Sequence, residues 1–242
     1  MLSVSNLSVQ FGKRVLFDEV STKFQTGNCY GIIGANGAGK STMMDVVTGK
    51  TKPDEGHVTF GEAVDLLAMD EPSIAHIGVG RKFQKPTVFA NNSVFENLEL
   101  AMKDDKRFFK TLFSKLSSEQ KGKIEETMKL IGLTDLAYQD AGILSHGQKQ
   151  WLEIGMLIMQ EPKLLLVDEP VAGMTPQEVE NTAEILTNLA KDNAVVVVEH
   201  DMEFIRSIAK KVTVLHEGSV LAEGSMDAIQ NNEKVRKVYL GE

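Results

Sequence analysis

At 242 residues and 42% hydrophobic composition, the chain is long enough for one large α/β domain or two small ones, with an ordinary apolar core. A formal net charge of -8 and a pI near 5.3 create a surface field that repels phosphate backbones and anionic lipid, so nonspecific nucleic-acid binding is excluded as a first reading. The single cysteine, Cys29, leaves no internal disulfide framework and fits a reducing compartment.

Met1 to Phe11 alternates apolar and polar residues, which is the pattern of a strand and not of a signal peptide. Leu2 to Phe11 and Val15 to Phe24, about a turn at Gly12, Lys13 and Arg14, are expected to pair antiparallel. Cys29 to Ile33 reads as a buried strand running through a glycine-rich loop into a helix that starts near Gly39. A turn at Pro53 to Gly56 precedes a short strand, His57 to Phe60. From about Pro86 to Trp151 the pattern becomes helical: Ser93 and Glu96 form a capping-box pair, and Ile124, Met128 and Ile131 recur at helical spacing.

Two short apolar blocks follow, Leu164 to Val167 and Val195 to Val198, separated by a helix with Val179, Ala183, Leu186 and Leu189 on one face. Blocks without polar alternation read as parallel strands covered on both sides. A hairpin, Val212 to His216 and Val220 to Glu223, precedes short C-terminal helices. No apolar run approaches the ~20 residues that cross a bilayer. The basic clusters, Lys103 to Lys110 and Lys234 to Lys237, read as solvated helix faces.

The chemistry concentrates in a few segments. Gly34-Ala35-Asn36-Gly37-Ala38-Gly39-Lys40-Ser41 matches the phosphate-loop pattern and sits between a predicted strand and a predicted helix. Its glycines let successive N–H groups turn inward, and the helix start adds positive potential. Lys40 is expected at the β- and γ-phosphates and Ser41 on Mg²⁺. Asp168 and Glu169 end an apolar strand where α/β folds place ligands; Asp168 is the expected Mg²⁺ partner through water, and Glu169 the base for the attacking water. His200 ends the next apolar strand and is expected at the γ-phosphate, with Asp201 capping the following helix. Leu144, Ser145, His146, Gly147 and Gln148 precede a strongly patterned helix and offer a second anion-type helix start.

Together these motifs resemble the ATP-binding subunits of ABC transporters over Leu2 to Glu242. The resemblance implies an α/β P-loop NTPase fold: a mainly parallel core sheet, an N-terminal antiparallel β subdomain and a helical subdomain. It implies one nucleotide-binding domain over 1–242, with 1–84 and 156–242 as the ATP-binding core and 85–155 as the helical signature subdomain. Phe11 stands where the family stacks an aromatic on adenine, Gly34 to Thr42 resembles its Walker A loop, and Gln84 occupies its Q-loop, where it also serves the metal. Ser145, His146, Gly147 and Gln148 lie in its signature, Asp168 and Glu169 in its Walker B, and His200 at its switch histidine. Three departures stand out: His146 replaces a glycine, Thr175 replaces an aspartate, and Phe11 lacks the hydroxyl of the commoner tyrosine.

The resemblance further implies ATP and Mg²⁺ as cofactors, and hydrolysis coupled to transport. Its implied partners are transmembrane permease subunits, an external substrate-binding protein and a second ABC ATPase subunit, in a heterodimer or homodimer, with no nucleic acid. The implied location is cytoplasmic, peripheral at the inner face of the cell membrane. Gly80 to Phe89, Leu144 to Met156 and Val195 to Gly218 resemble the ATPase subunits of urea transporters within the branched-chain amino-acid importer group. Urea is therefore the expected cargo; the alternatives are a branched-chain amino-acid importer and a non-transport ABC ATPase acting as an assembly switch.

Overall fold

The computed structural model describes residues 1–12, 14–82, 87–103 and 116–239, with Phe11, Arg14 and Tyr239 as backbone, and these divide into two compact units. The first unit comprises Met1–Arg81, Pro162–Pro170 and Leu186–Glu242; the second comprises Lys82–Glu161 and Val171–Ile185.

Within the first unit, β1 (Leu2–Phe11) pairs antiparallel with β2 (Arg14–Phe24). Leu2, Val4, Leu7 and Val9 of β1 are all buried, although strict alternation would turn Leu7 outward after Val4. A register shift between Val4 and Leu7, with Asn6 at φ 49°, absorbs the extra residue and returns the apolar side chains to the core. β4 (Glu55–Phe60) and β5 (Val64–Asp65) complete a sheet ordered β2-β1-β4-β5.

The larger sheet has the order β10-β9-β3-β8-β7-β6. It consists of β3 (Asn28–Gly34), β6 (Val79–Lys82), β7 (Leu164–Asp168), β8 (Ala194–Val198), β9 (Lys211–His216) and β10 (Ser219–Gly224). β9, β3, β8 and β7 run parallel, and β10 returns antiparallel on β9. Every residue of β7 and β8 is buried, which is why neither shows a polar face in sequence. Burial pushes the Cys29 thiol up to about 12, as for an inert core residue.

The two sheets share one apolar core, in which Phe17, Phe24 and Leu7 join Ile32, Val196 and Leu215. They are also tied through Glu223, which accepts from Thr22 Oγ1 at 2.8 Å and Thr213 Oγ1 at 2.9 Å and pairs with Lys211 at 2.6 Å. Helix α1 (Lys40–Val47) follows β3, and α7 (Met202–Ile208) follows β8. Helix α2 (Glu71–His76), started by the Asp70 side chain with Pro72 in its first turn, lies in a stretch that the sequence reading did not assign to a helix.

The second unit is helical: α3 (Val94–Ala101), α4 (Ser118–Leu130), α5 (His146–Ile158) and the opening turns of α6 (Pro176–Leu189). The Ser93–Glu96 capping box forms as predicted, and Ile124, Met128 and Ile131 are buried. Inside the unit, Glu153 lies 3.7 Å from Lys82 Nζ and accepts from Thr87 N–H at 3.2 Å. Burial pushes its carboxyl up, against the pull of Lys82. Among the described residues no helix is long and apolar enough to cross a membrane.

Candidate active site

β3 delivers the chain to the loop that precedes α1. Gly37 (φ 81°) and Gly39 (φ 100°) take backbone conformations closed to ordinary side chains. Gly39 is also packed tightly: a Cβ there would stand 2.6 Å from Phe17 Cε1 and 2.9 Å from the Leu16 carbonyl oxygen. No side chain caps the start of α1, so its first backbone N–H groups receive none of the usual local acceptors.

Lys40 is buried, and its ammonium donates to Gly34 O at 2.6 Å and Ala35 O at 3.1 Å. Desolvation lowers its pKa, opposed by the nearby Glu169 and Asp168 carboxylates. Ala35, Asn36, Gly37 and Ser41 are exposed, Ala38 and Gly39 are buried, and Thr42 is half-buried. The loop therefore presents its exposed rim to solvent while its lysine stays tucked beneath.

Register brings the remaining groups to the same edge. Val198 of β8 lies level with Ile32 of β3 on one side and Asp168 of β7 on the other. The loop from Gly34, the Asp168-Glu169 pair and His200 consequently leave the carboxyl ends of three neighbouring parallel strands together, where ligands bind in open α/β sheets. Glu169 adopts φ 45° and donates its N–H to Val198 O at 2.9 Å. A non-glycine residue held in that region carries strain on the order of 1 kcal/mol or more, and the bond to β8 helps to hold it there. Glu169 Oε1 then lies 3.3 Å from His200 Nε2. The backbone at His200 is fixed from behind by buried Glu199, which accepts from His200 N at 2.7 Å and Asp201 N at 3.4 Å. Asp201 caps α7 through Glu203 N and Phe204 N, as expected.

The sequence reading missed Arg81. Its nearly buried guanidinium reaches Asp45 Oδ1 of α1 and lies 3.8 Å from Asp168 Oδ2, bridging the two carboxylates beneath the loop. Its partners are far away in sequence, so no local pattern marked it. Gln84 and the Phe11 side chain lie outside the described residues.

The signature residues belong to the second unit. Ser145 is the N-cap of α5 in a capping box: Gln148 N donates to Ser145 Oγ at 3.1 Å, and Ser145 N donates to Gln148 Oε1 at 2.9 Å. His146 is exposed, with its Nε2 3.3 Å from Gln150 Nε2. Gly147 is buried, and a Cβ there would collide with the Glu178 carboxylate. Glu178 is the second residue that the sequence reading missed, although Thr175 and Glu178 have the spacing of a capping box.

The geometry brings a glycine-rich loop, a carboxylate pair and a histidine to one sheet edge, and comparisons with known proteins show the family to which such a chain belongs. A family model described as ABC transporter matches residues 17–172. The chain belongs to the ABC transporter family. A second model, branched-chain amino acid ATP-binding cassette transporter, matches residues 219–242. The high-affinity branched-chain amino acid transport ATP-binding proteins LivG of Salmonella typhimurium and BraF of Pseudomonas aeruginosa are each 32% identical to the chain, with 100% of it and 98% of each relative aligned. The solved structure of MJ1267, an ATP-binding cassette of an ABC transporter, superposes with a TM-score of 0.85 at 30% identity, covering 99% of this chain and 98% of that one. This ABC cassette is thus a transporter ATPase of the branched-chain amino acid group, with the expected fold of a mainly parallel sheet, an antiparallel N-terminal sheet and helices. The similarities favour the branched-chain alternative over the urea reading.

Proposed function

We propose that the cassette hydrolyses MgATP to drive uptake of a branched-chain amino acid through separate permease subunits, supplied by an external binding protein. The observation that carries the catalytic part is the convergence of Lys40, Asp168, Glu169 and His200 on one sheet edge, with Glu169 and His200 3.3 Å apart. Lys40 exchanges its two carbonyl acceptors for phosphate oxygens, and the loop from Gly34 to Thr42 supplies backbone donors. Ser41 and Gln84, with Asp168 acting through water, would hold Mg²⁺, because hydroxyl, amide, carboxylate and water oxygens are the hard donors that this ion takes. When bound, Mg²⁺ supplies positive charge to the β- and γ-phosphate oxygens. Phe11 stacks on the adenine.

Glu169 polarises the attacking water and takes its proton as the water oxygen bonds to the γ-phosphorus and the bond to ADP breaks. His200 keeps that water and the γ-phosphate in line. Ser145, His146, Gly147 and Gln148 face the nucleotide held by a second ATPase subunit, identical or different. Hydrolysis then separates the two subunits.

The second unit offers a surface suited to the permease. Phe89, Tyr138 and Ile143 are exposed, and Phe95 stacks on Tyr138 with centroids 6.1 Å apart. Buried Asn97 holds the turn below them, accepting from Phe89 N and donating to Phe89 O, Asn92 O and Ser93 O. An apolar patch on a rigid turn is a ready seat for a cytoplasmic helix of a membrane subunit, and supports a reading in which the chain works at the inner face of the membrane.

Glu169→Gln is expected to bind MgATP and lose at least ~100-fold in turnover, while Lys40→Ala loses nucleotide affinity. Normal turnover in the first, or tight MgATP binding in the second, refutes the assignment. For the cargo, the cassette reconstituted with its permease subunits and binding protein is expected to raise ATP turnover with leucine. Stimulation by urea alone would restore the urea reading and leave the motor intact.

A further inference from the structure

The Glu178 carboxylate joins two helix starts. Its Oε2 accepts from Thr175 N at 2.9 Å and Thr175 Oγ1 at 3.0 Å, while Glu178 N donates to Thr175 Oγ1 at 3.3 Å, closing a capping box on α6. Its Oε1 accepts from Ser145 Oγ at 3.2 Å and presses against Gly147. The base of the side chain is fixed as well, because buried Thr182 Oγ1 donates to Glu178 O at 2.7 Å and receives the Trp151 indole N–H at 2.9 Å. The Thr175 N–H bond, against some desolvation, holds the Glu178 carboxyl below the usual carboxylate range, and the Thr175 and Ser145 hydroxyls and His146 add to this. Glu178 is therefore an anion at neutral pH.

A serine hydroxyl has one proton to give. Ser145 Oγ accepts from Gln148 N and commits that proton to Glu178 Oε1. A phosphate oxygen that bonds to Ser145 must therefore take the proton from Glu178, and a second anion already stands beside the start of α5.

We propose that Glu178 is a positioning residue of the ATPase reaction, a built-in rival acceptor that holds the Ser145 hydroxyl until nucleotide phosphate displaces it. This rests on the reading of Ser145 as the contact to a partner's nucleotide. Thr175 is neutral, so the charge at this junction is carried by Glu178. The carboxylate lowers the affinity of the turn for phosphate and keeps the hydroxyl correctly aimed until that phosphate arrives.

The test is MgATP-dependent turnover of the full-length assembled ATPase, carrying Glu178→Gln, Ser145→Ala or both. Glutamine keeps the shape and an acceptor oxygen but loses the charge, and charge-assisted bonds are about twice as strong as neutral ones. Glu178→Gln is expected to lower the half-saturating MgATP concentration about 3- to 10-fold, and this gain is expected to vanish when Ser145 is alanine. An unchanged or raised half-saturation overturns the proposal, as does an equal gain in the Ser145→Ala background, which would make the effect a general one of surface charge. If Ser145→Ala alone changes neither half-saturation nor maximal turnover, the underlying reading of the signature turn fails, and the proposal fails with it. Retained effects of Ser145→Ala without an effect of Glu178→Gln defeat only the proposal.

Discussion

Two helix starts in this molecule are built in opposite ways. α5 opens on Ser145, whose hydroxyl and whose partner Gln148 satisfy each other's backbone N–H groups. α1 opens on Gly39, in a left-handed conformation and without any side-chain cap. Side chains cap the first turns of α2, α3, α4, α7 and α8 (Met226–Gln230) too, through Asp70, Ser93, Ser117, Asp201 and Ser225. A cap typically contributes about 1 kcal/mol, so leaving one out at a buried helix start forgoes stability that a capping side chain supplies elsewhere. In the proposed reaction the uncapped end is the one that takes an outside anion, and the capped end of α5 can serve an anion only by exchanging bonds it already has.

The largest way to break that contrast is to fill the open end. Gly39→Ala places a Cβ 2.6 Å from Phe17 Cε1 in a backbone conformation with φ 100°, so both strain and overpacking oppose it. The expected cost is on the order of 3 kcal/mol, which for a chain of this size lowers Tm by about 6–12 °C. In the parent, MgATP at 100 times its Kd adds about 2.7 kcal/mol of stability. In the variant, thermal melts are expected to show no such gain, and a full MgATP-induced shift in Gly39→Ala would mean that the uncapped end is not the phosphate site.

How much of this could be read in advance follows from how far apart the cooperating residues stand. The loop between β3 and α1 is contiguous and its glycines answer a local backbone requirement, so the strand, loop and helix order around Gly34 to Ser41 was legible without any fold. Asp168, Glu169 and His200 were legible once two apolar blocks were recognised as neighbouring parallel strands, because strand ends in register share an edge. Arg81 was not, since its partners Asp45 and Asp168 come from distant segments and only the sheet order brings them near. Glu178 was hidden for the same reason, being 33 residues from Ser145. β1 shows a subtler limit: alternation named the strand, while the shift at Asn6 that keeps Leu7 inside needed the pairing with β2. The cargo leaves no local trace in the motor, and only similarity to named transporters bears on it.

The smaller effect separates a cap from a site that is also a cap. Ser117 and Ser145 begin helices with the same Ser-x-x-Gln box: Gln120 N donates to Ser117 Oγ at 3.1 Å and Ser117 N to Gln120 Oε1 at 2.8 Å, against 3.1 Å and 2.9 Å for Ser145 and Gln148. As caps, the two serines are interchangeable, so Ser117→Ala and Ser145→Ala are each expected to cost about 1 kcal/mol and lower Tm by about 2–4 °C, with a further loss in Ser145→Ala from its bond to Glu178. Turnover divides them. Loss of one hydrogen bond to a charged phosphate, worth about 1.5–3 kcal/mol, predicts a fall of roughly 10- to 100-fold in kcat/KM for Ser145→Ala and none for Ser117→Ala. Melting losses with equal turnover would reduce Ser145 to a helix cap and remove the second anion contact from the mechanism. A turnover loss confined to Ser145 would mean that a helix start with its own side-chain cap can still give its hydroxyl to an incoming phosphate.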